Sequence, residues 1–229
     1  MKLSAPFRSS LLVAALVGVA AWPAATRAGD EVLRCHGRAA TVVGTPGPDV
    51  FSEDAEATSE ADIDFDSGDV IVARGGRDSI TVGSLSDIRV CGNAGRDHLD
   101  ALVGFGRNFV LDGGAGADWL GDASPSPAQG PVWTPLKLLG GGGNDSLVGG
   151  GKPDLMRGGA GNDGIFGFGR GDDMFGGRGS DQLGGGTGRD SMHGNAGDDR
   201  LKGAGGHDRA AGGSGRDHCE AEVKRGCES

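Results

Sequence analysis

The residues of this sequence best suited to chemistry are aspartates that recur every nine positions. Between Gly140 and Glu220 the chain divides into nine blocks of nine residues, and the sixth place of every block is Asp. These residues are Asp145, Asp154, Asp163, Asp172, Asp181, Asp190, Asp199, Asp208 and Asp217. Regularly spaced carboxylates beside exposed backbone carbonyls form hard-oxygen sites, which suit Ca²⁺ better than the strictly octahedral Mg²⁺. Thiolate and imidazole ligands for zinc are missing at this spacing.

The elements that position these carboxylates must repeat with the same period. The first place of each block is Gly, and the eighth place holds one residue of the series Leu147, Met156, Ile165, Met174, Leu183, Met192, Leu201, Ala210 and Cys219. A period of nine with this many glycines excludes an amphipathic helix. We therefore predict a six-residue turn followed by a three-residue strand, whose central apolar side chain points inward. Such units bury their apolar faces only by stacking into a parallel β-solenoid.

Apolar burial alone does not stabilise this stack. One buried Leu or Met per block contributes roughly 1.5–3 kcal/mol. Ordering the backbone of the nine residues in one block costs on the order of 9–18 kcal/mol. The clustered carboxylates add electrostatic repulsion. A bound cation is therefore expected to supply the remaining free energy.

The block GGRGSDQLG at 176–184 resembles the RTX, or haemolysin-type, calcium-binding nonapeptide GGxGxDxUx. The resemblance implies an all-β, right-handed parallel β-roll in which two nonapeptides make one turn and Ca²⁺ lies between turns stacked on the same side. The odd blocks would then form one edge, with Asp145, Asp163, Asp181, Asp199 and Asp217. The even blocks would form the other, with Asp154, Asp172, Asp190 and Asp208. At most seven ions would lie between turns of these nine blocks.

The two edges differ in the fourth place of their blocks. Every odd block has Gly there, whereas two even blocks have Lys152 and Arg170. A cation beside a carboxylate opposes a bound metal ion and can itself neutralise the carboxylate. We therefore predict tight calcium binding on the odd edge and weaker binding near Asp154 and Asp172.

Degenerate repeats precede the nine strong blocks. Two of them, at 92–100 and 113–121, place Asp97 and Asp118 in the metal-binding position. Further upstream, Asp69, Asp78 and Asp87 also keep a spacing of nine.

We predict one elongated domain, divided in the order of the chain. The segments are a secretory signal peptide at 1–28, degenerate repeats of the roll at 29–121, a Pro-rich insert loop at 122–139, the nine strong repeats at 140–220 and a C-terminal tail at 221–229. A decayed turn is the alternative interpretation of the insert, but Pro is unsuited to a central strand.

The first 28 residues predict export by the general secretory route. A charged start containing Lys2 and Arg8 precedes an apolar run at 11–21, and Thr26-Arg27-Ala28 is suited to cleavage before Gly29.

The chain has a net charge of −10, and removal of the first 28 residues would make it −13. Such an acidic protein is a poor partner for nucleic acid and for anionic membranes. We expect a soluble extracellular protein.

Four cysteines fit an oxidising compartment, and three pairings of them are possible. We favour Cys219–Cys227, which closes a short loop at the end of the roll, with Cys35–Cys91 as the remaining pair.

Catalysis is not indicated by any motif. The sequence contains neither H-E-x-x-H nor G-x-S-x-G. The leading hypothesis is therefore a non-enzymatic calcium-binding protein that folds when it meets external Ca²⁺. The alternatives are an adhesion or interaction module that uses the insert as a contact loop, a small secreted hydrolase and an unstructured Gly-rich linker.

Aromatic residues and histidines are interpreted mainly as structural. Trp119 and Trp133 are expected to pack the insert against the roll. The cluster Phe166, Phe168 and Phe175 is expected to serve in core or end packing. His193, His207 and His218 occupy different places in their blocks, so they form no column and are expected to be solvated.

Overall fold

The computed structural model describes residues 12–13, 33–52, 67–83, 86–101, 108–122 and 135–227. All regular elements within these ranges are β-strands. Sheet 1 contains β1 (Leu12–Val13), β4 (Val42–Val43), β6 (Val70–Val72), β8 (Arg89–Ala94), β10 (Phe109–Ala115), β12 (Leu136–Gly142), β14 (Leu155–Ala160), β16 (Asp173–Arg178), β18 (Ser191–Ala196), β20 (Arg209–Ser214) and β22 (Val223–Arg225). Sheet 2 contains β5 (Val50–Ser52), β7 (Ser79–Val82), β9 (His98–Ala101), β11 (Trp119–Gly121), β13 (Ser146–Gly150), β15 (Gly164–Gly169), β17 (Gln182–Gly188), β19 (Arg200–Gly206) and β21 (His218–Glu220). The strands β2 (Arg34–Cys35) and β3 (Arg38–Ala39) form an antiparallel hairpin.

Consecutive strands of the roll alternate between the two sheets, and within each sheet every pairing is parallel. In the strong repeats, residues 18 positions apart are register partners, such as Met156 with Met174 in sheet 1 and Ile165 with Leu183 in sheet 2. One turn of the roll therefore contains two nonapeptides. The structure confirms the predicted all-β parallel β-roll.

The core consists of two columns of apolar side chains between the sheets, one from each sheet. The residues in the eighth place of the strong repeats are all at most 2% exposed. Sheet 1 contributes Val42, Ile71, Val90, Leu111, Leu138, Met156, Met174, Met192 and Ala210, and sheet 2 contributes Phe51, Ile80, Leu99, Leu120, Leu147, Ile165, Leu183, Leu201 and Cys219. Because each turn adds only two such residues, the core is narrow along its whole length.

A second apolar cluster covers the outer face of sheet 1 near its N-terminal end. The β2–β3 hairpin packs there, and its Cys35 forms a disulfide with Cys91 of β8. Val70 and Val72 of β6 complete the buried group. The other disulfide joins Cys219 to Cys227 at the C-terminal end of the roll. Both pairings agree with the sequence-based prediction.

Removal of the two disulfides is expected to have unequal effects on stability. The Cys35–Cys91 bond closes a sequence separation of 56 residues and the Cys219–Cys227 bond one of 8. Loop-closure entropy predicts a loss of about 4 kcal/mol in the free energy of unfolding for the double Ser variant of the first pair and about 2.5 kcal/mol for that of the second. Urea denaturation in saturating calcium measures both, and equal losses would contradict the estimate.

The structure corrects one sequence-based prediction, and two others concern residues that lie wholly or mostly outside the described ranges. The insert was expected to extend to Leu139, but β12 begins at Leu136, because Leu136 and Leu138 alternate inward as a buried strand does. Residues 123–134, including Trp133, lie outside the described ranges. The segment 1–28 is described only at β1, which pairs with β4. Among the described residues, no helix has the length and apolar character needed to cross a bilayer.

Candidate calcium-binding edges

Along one edge of the roll, the turns that lead into sheet 2 form a column of aspartates. We call this the acidic edge. In each pair of adjacent turns, the backbone N–H of the lower Asp donates to Oδ1 of the Asp above, at 2.8–3.0 Å. The column consists of Asp49, Asp78, Asp97, Asp118, Asp145, Asp163, Asp181, Asp199 and Asp217. It extends the odd edge of the strong repeats downward through the degenerate ones.

The opposite edge, whose turns lead into sheet 1, changes character halfway. We call this the mixed edge. In its lower half, Asp69 keeps a carboxyl in the place that Asp has on the acidic edge. The next three turns have buried apolar residues there, namely Ile88, Phe109 and Leu136. Its upper half contains Asp154, Asp172, Asp190 and Asp208, linked by the same N–H to Oδ1 bonds. The N–H of Asp208 donates instead to Oε2 of Glu222, at 2.7 Å.

Eleven of these carboxyl groups have a buried Oδ2 that no group in the described part of the chain hydrogen-bonds. They belong to Asp78, Asp97, Asp118, Asp145, Asp163, Asp172, Asp181, Asp190, Asp199, Asp208 and Asp217. A buried carboxylate oxygen without a donor is costly, because burial removes its solvation. Eight of the eleven lie on the acidic edge and three on the mixed edge. We call the turns that contain them open turns.

The open turns share one backbone conformation. In each of them, the residues in the second and fourth places have positive φ. At Gly179, for example, φ is +115°, and an added Cβ would collide with the carbonyl oxygen of Gly161 in the turn below. Glycine is required there both by the left-handed backbone and by the close approach of the next turn. Backbone carbonyl oxygens therefore line the space between successive open turns.

The donor set of the open turns fits calcium. Each turn offers an unpartnered carboxylate oxygen and carbonyl oxygens from a glycine-rich backbone, all of them hard ligands. When bound, Ca²⁺ would supply positive charge against the stacked carboxylates. The first-place glycines make room for this arrangement, since a Cβ at Gly176 would collide with Oδ2 of Asp181.

Two turns are closed by a hydrogen bond of their own. The N–H of Gly150 donates to Oδ2 of Asp154 at 2.8 Å, and the N–H of Thr45 donates to Oδ2 of Asp49 at 2.7 Å. Neither Gly150 nor Lys152 has positive φ. The Asp154 turn is therefore satisfied internally and differs from the Asp172 turn, although both carry a cation in the fourth place.

Burial raises the pKa of ten of the stacked carboxyls, and for most of these ten the like charge of neighbouring aspartates adds to the shift. The N–H donated to Oδ1 offsets it in part. For Asp145, Asp172 and Asp181 the pKa rises to about 7. For Asp78 and Asp154 it rises to about 6. The pKa is also raised by burial for Asp97, Asp118, Asp163, Asp190 and Asp199.

These shifts predict opposite pH dependences with and without calcium. A carboxyl whose pKa is higher in the folded state than in the unfolded one, where it is near 3.8, stabilises the fold when protonated. Calcium-free protein should therefore be most stable below about pH 4 and lose stability as pH rises through 6–7. Calcium affinity should instead increase over pH 6–7, since binding displaces protons. Thermal denaturation in chelator and calorimetric titrations from pH 5 to pH 8 measure the two trends. A chelated protein whose stability does not change between pH 4 and pH 7.5 would contradict this account.

Most metal ligands predicted from sequence lie in open turns, and Asp154 is the exception. The structure adds Asp78, whose turn keeps positive φ at Arg74 and Gly76. Its sequence signal is the Gly, Asp and apolar residue in the fourth, sixth and eighth places. Asp87, by contrast, is not in the metal-binding position: it is exposed, and Ile88 occupies that place.

The phenylalanine cluster is not part of the core, whereas the expected packing of Trp119 and Trp133 against the insert involves residues outside the described ranges. Phe166 and Phe168 are 42% and 62% exposed on the outer face of sheet 2. Phe175 lies in sheet 1, where its ring stacks on that of His193. Trp119 stacks on His98, with ring centroids 4.3 Å apart. The sequence did not reveal the two ring stacks, because each joins residues of adjacent turns that are far apart in the chain.

Fold and site together define a parallel β-roll with stacked, calcium-binding acidic turns. A family model for the RTX calcium-binding nonapeptide repeat, built of four copies, matches residues 139–174 and 184–219. The chain thus carries RTX repeats, and Ca²⁺ is the ion that such repeats bind. A search of curated proteins found no match to the chain.

Proposed function

We propose that this protein is a secreted, non-enzymatic calcium-binding β-roll that completes its folding when it binds Ca²⁺ outside the cell. The observation that carries this proposal is the set of eleven buried, unpartnered Oδ2 atoms. Without a cation, these stacked carboxyls must either remain protonated or repel one another at neutral pH. Since no such site exists in an unfolded chain, the free energy of ion binding contributes directly to folding.

Secretion is supported by three observations. RTX repeat proteins are generally extracellular, the two disulfides suit an oxidising compartment, and the first 28 residues have the pattern of a signal peptide. Repeat-only β-rolls of this family are typically non-catalytic. In the described residues, the stacked aspartates are engaged in turns, which favours a binding role over hydrolysis.

The turn geometry suggests which positions bind calcium. If each ion lies between two stacked open turns, the eight open turns of the acidic edge leave seven intervals and the three of the mixed edge leave two. We propose that the acidic edge binds calcium along most of its length, including the degenerate repeats. The mixed edge binds it only above Asp172, because the Asp154 turn is closed.

The experiment that tests the proposal is a calcium titration of the disulfide-bonded protein, followed by far-ultraviolet circular dichroism, with Mg²⁺ as the control. We expect a cooperative gain of β-signal with Ca²⁺ alone and its reversal by chelator. A full β-signal already present in chelator would reduce calcium to an accessory. Absence of β-signal in both conditions would refute the fold as well.

A second candidate function is an interaction module that uses the roll as a scaffold. The observation in its favour is Phe168, a strongly exposed aromatic residue with φ of +72°. A bulky residue in left-handed backbone costs roughly 1–2 kcal/mol. The ring of Phe166 stands beside it on the same face of β15, against Gly184. Two exposed aromatic side chains on one face are typical of a binding surface.

Substitution of Phe168 tests this candidate directly. Phe168→Gly should raise the free energy of unfolding by about 1 kcal/mol, because Gly adopts positive φ without strain. If the face is an adhesive surface, the same substitution should abolish attachment to cells or matrix, whereas deletion of 123–134 tests the insert separately. Unchanged attachment of Phe168→Gly, of Phe166→Ala and of the deletion variant would remove the candidate.

A further inference from the structure

A groove of about 440 Å³ runs along the lower part of the acidic edge, where the turns meet the outer face of sheet 2. It spans four successive turns and is lined by residues of two rows. The row of the turns contributes Arg77, Arg96, Ala117 and Asn144, and the row of sheet 2 contributes Ser79, His98, Trp119 and Ser146. With turns spaced about 4.8 Å apart, the groove is long enough for an extended ligand.

The indole of Trp119 has one ring face covered and the other facing a gap. Its covered face stacks on His98, with an angle of 7° between the ring planes. On the other side, its register partner is Ser146, and Gly164 follows in the next turn. Ser146 and Gly164 are too small to cover an indole. The groove therefore continues over the second face of the Trp119 ring. Aromatic faces bordered by hydroxyl groups are suited to the apolar face of a sugar ring.

The charge of the groove wall favours an anion. Arg77 and Arg96 are both exposed and occupy the same place in adjacent turns. Nε of Arg96 donates to the carbonyl oxygen of Ala117 at 3.3 Å, and both residues line the groove together with the stacked rings. A guanidinium binds carboxylate and sulfate groups through paired hydrogen bonds. Cationic side chains grouped in this way on a chain of net charge −10 are a local feature of the surface.

We infer that this groove binds an acidic saccharide, with a sugar ring on Trp119 and its anionic groups on Arg96 and Arg77. The carboxyls of Asp78, Asp97 and Asp118 also line the groove, but they are at most 3% exposed within their turns. The inference goes beyond the proposed function and draws on it in one respect, since calcium in those turns would neutralise the carboxyls facing the ligand.

Binding to immobilised hexasaccharides tests the inference at constant free calcium. The probes are a hexagalacturonate, which is carboxylated, and a heparin-derived hexasaccharide, which is sulfated, and a neutral hexasaccharide is the control. Trp119→Ala and Arg96→Gln should each weaken binding of the acidic probe roughly tenfold or more. Trp119→Phe, which keeps a ring, should lose less.

The roll provides matched controls for both substitutions. Arg216 occupies the same place in a turn of the acidic edge far from the groove, and Phe175 is an aromatic residue that stacks on a histidine as Trp119 does, but in sheet 1. Arg216→Gln and Phe175→Ala should change affinity by less than about twofold. Comparison of the two acidic probes then identifies the preferred anionic group.

Several results would overturn the inference. These are equal binding of the neutral hexasaccharide, equal binding of a single-stranded oligonucleotide of matched charge, equal losses in the control variants, and no binding of either acidic probe at millimolar concentration. Each variant is first checked for its calcium-dependent circular dichroism. A protein that folds with calcium but binds no saccharide refutes this inference alone, whereas one that fails to respond to calcium refutes the proposed function.

Discussion

Calcium removal is expected to unfold the upper half of the roll while much of the lower half keeps its structure. In the lower half the mixed edge is filled by Ile88, Phe109 and Leu136, each at most 2% exposed. Burial of these three side chains contributes at least about 4.5 kcal/mol. The upper half has open acidic turns on both edges and little apolar burial besides the narrow core.

Hydrogen exchange in chelator measures this difference. Amides of β8 and β10 should exchange on the order of 1,000-fold more slowly than those of β16 to β20. With calcium, both halves should be protected. The disulfide between Cys35 and Cys91 lies in the protected half and is kept oxidised throughout the experiment. Uniform loss of protection along the chain would show that the apolar edge does not stabilise the lower half independently.

The lower half would then act as the template on which the upper half folds. Solenoid repeats gain stability from their neighbours, so folding that begins at one stable end can propagate along the stack. If the protein is exported N-terminus first, as the proposed signal peptide implies, this stable end would leave the secretion channel first. Ion binding would extend the roll from there toward Cys219 and Cys227.

The second large effect is expected from a matched pair of substitutions, Asp181→Asn and Asp154→Asn. Asp181 lies in an open turn, and its buried Oδ2 has no hydrogen-bond donor in the described part of the chain. Calcium affinity depends on the number of charged ligands, so Asp181→Asn should raise the calcium concentration at the folding midpoint at least about tenfold. It should also lower the number of bound ions by one or two, since the turn borders two intervals.

Asp154→Asn should change stability but not calcium binding. Both oxygens of Asp154 already accept backbone N–H groups, from Leu136 and Gly150. An amide places its NH₂ group against one of these donors, which costs about 1–3 kcal/mol. The number of bound ions should stay the same, and the midpoint should move far less than for Asp181→Asn. Calorimetry and calcium-dependent circular dichroism compare the two variants, and equal loss of ions would show that the closed turn opens when calcium is present.

The aspartate period alone was sufficient to predict the turn–strand unit, the inward apolar residue and the hard-oxygen site. Those conclusions depend only on local rules, since a fixed spacing places the same residue type at the same point of every unit. The grouping of turns into two edges came from the resemblance to RTX repeats. The structure has the same grouping, with Met156 above Leu138 and below Met174.

Sequence spacing was less reliable where repeats are degenerate. Asp87 keeps the spacing of nine, yet Ile88 fills the turn, because a shift of one residue exchanges the inner and outer faces of a strand. The end of the insert was misplaced for a related reason. Leu136 has an apolar side chain in the place of Asp, and only its buried position beside Phe109 shows that it belongs to the roll.

Only the tertiary structure distinguished the turns from one another. Lys152 and Arg170 make two turns alike in sequence, but Arg170 has positive φ and Asp172 keeps a free Oδ2, whereas the Asp154 turn is closed by Gly150. Glycine-rich backbone can adopt either conformation with little intrinsic preference. The choice is made by contacts with the turns above and below, which are 18 or more residues away in the chain. The sequence by itself therefore determined the repeating unit and its ion, and the stacking of the units decided which carboxyls are available to bind it.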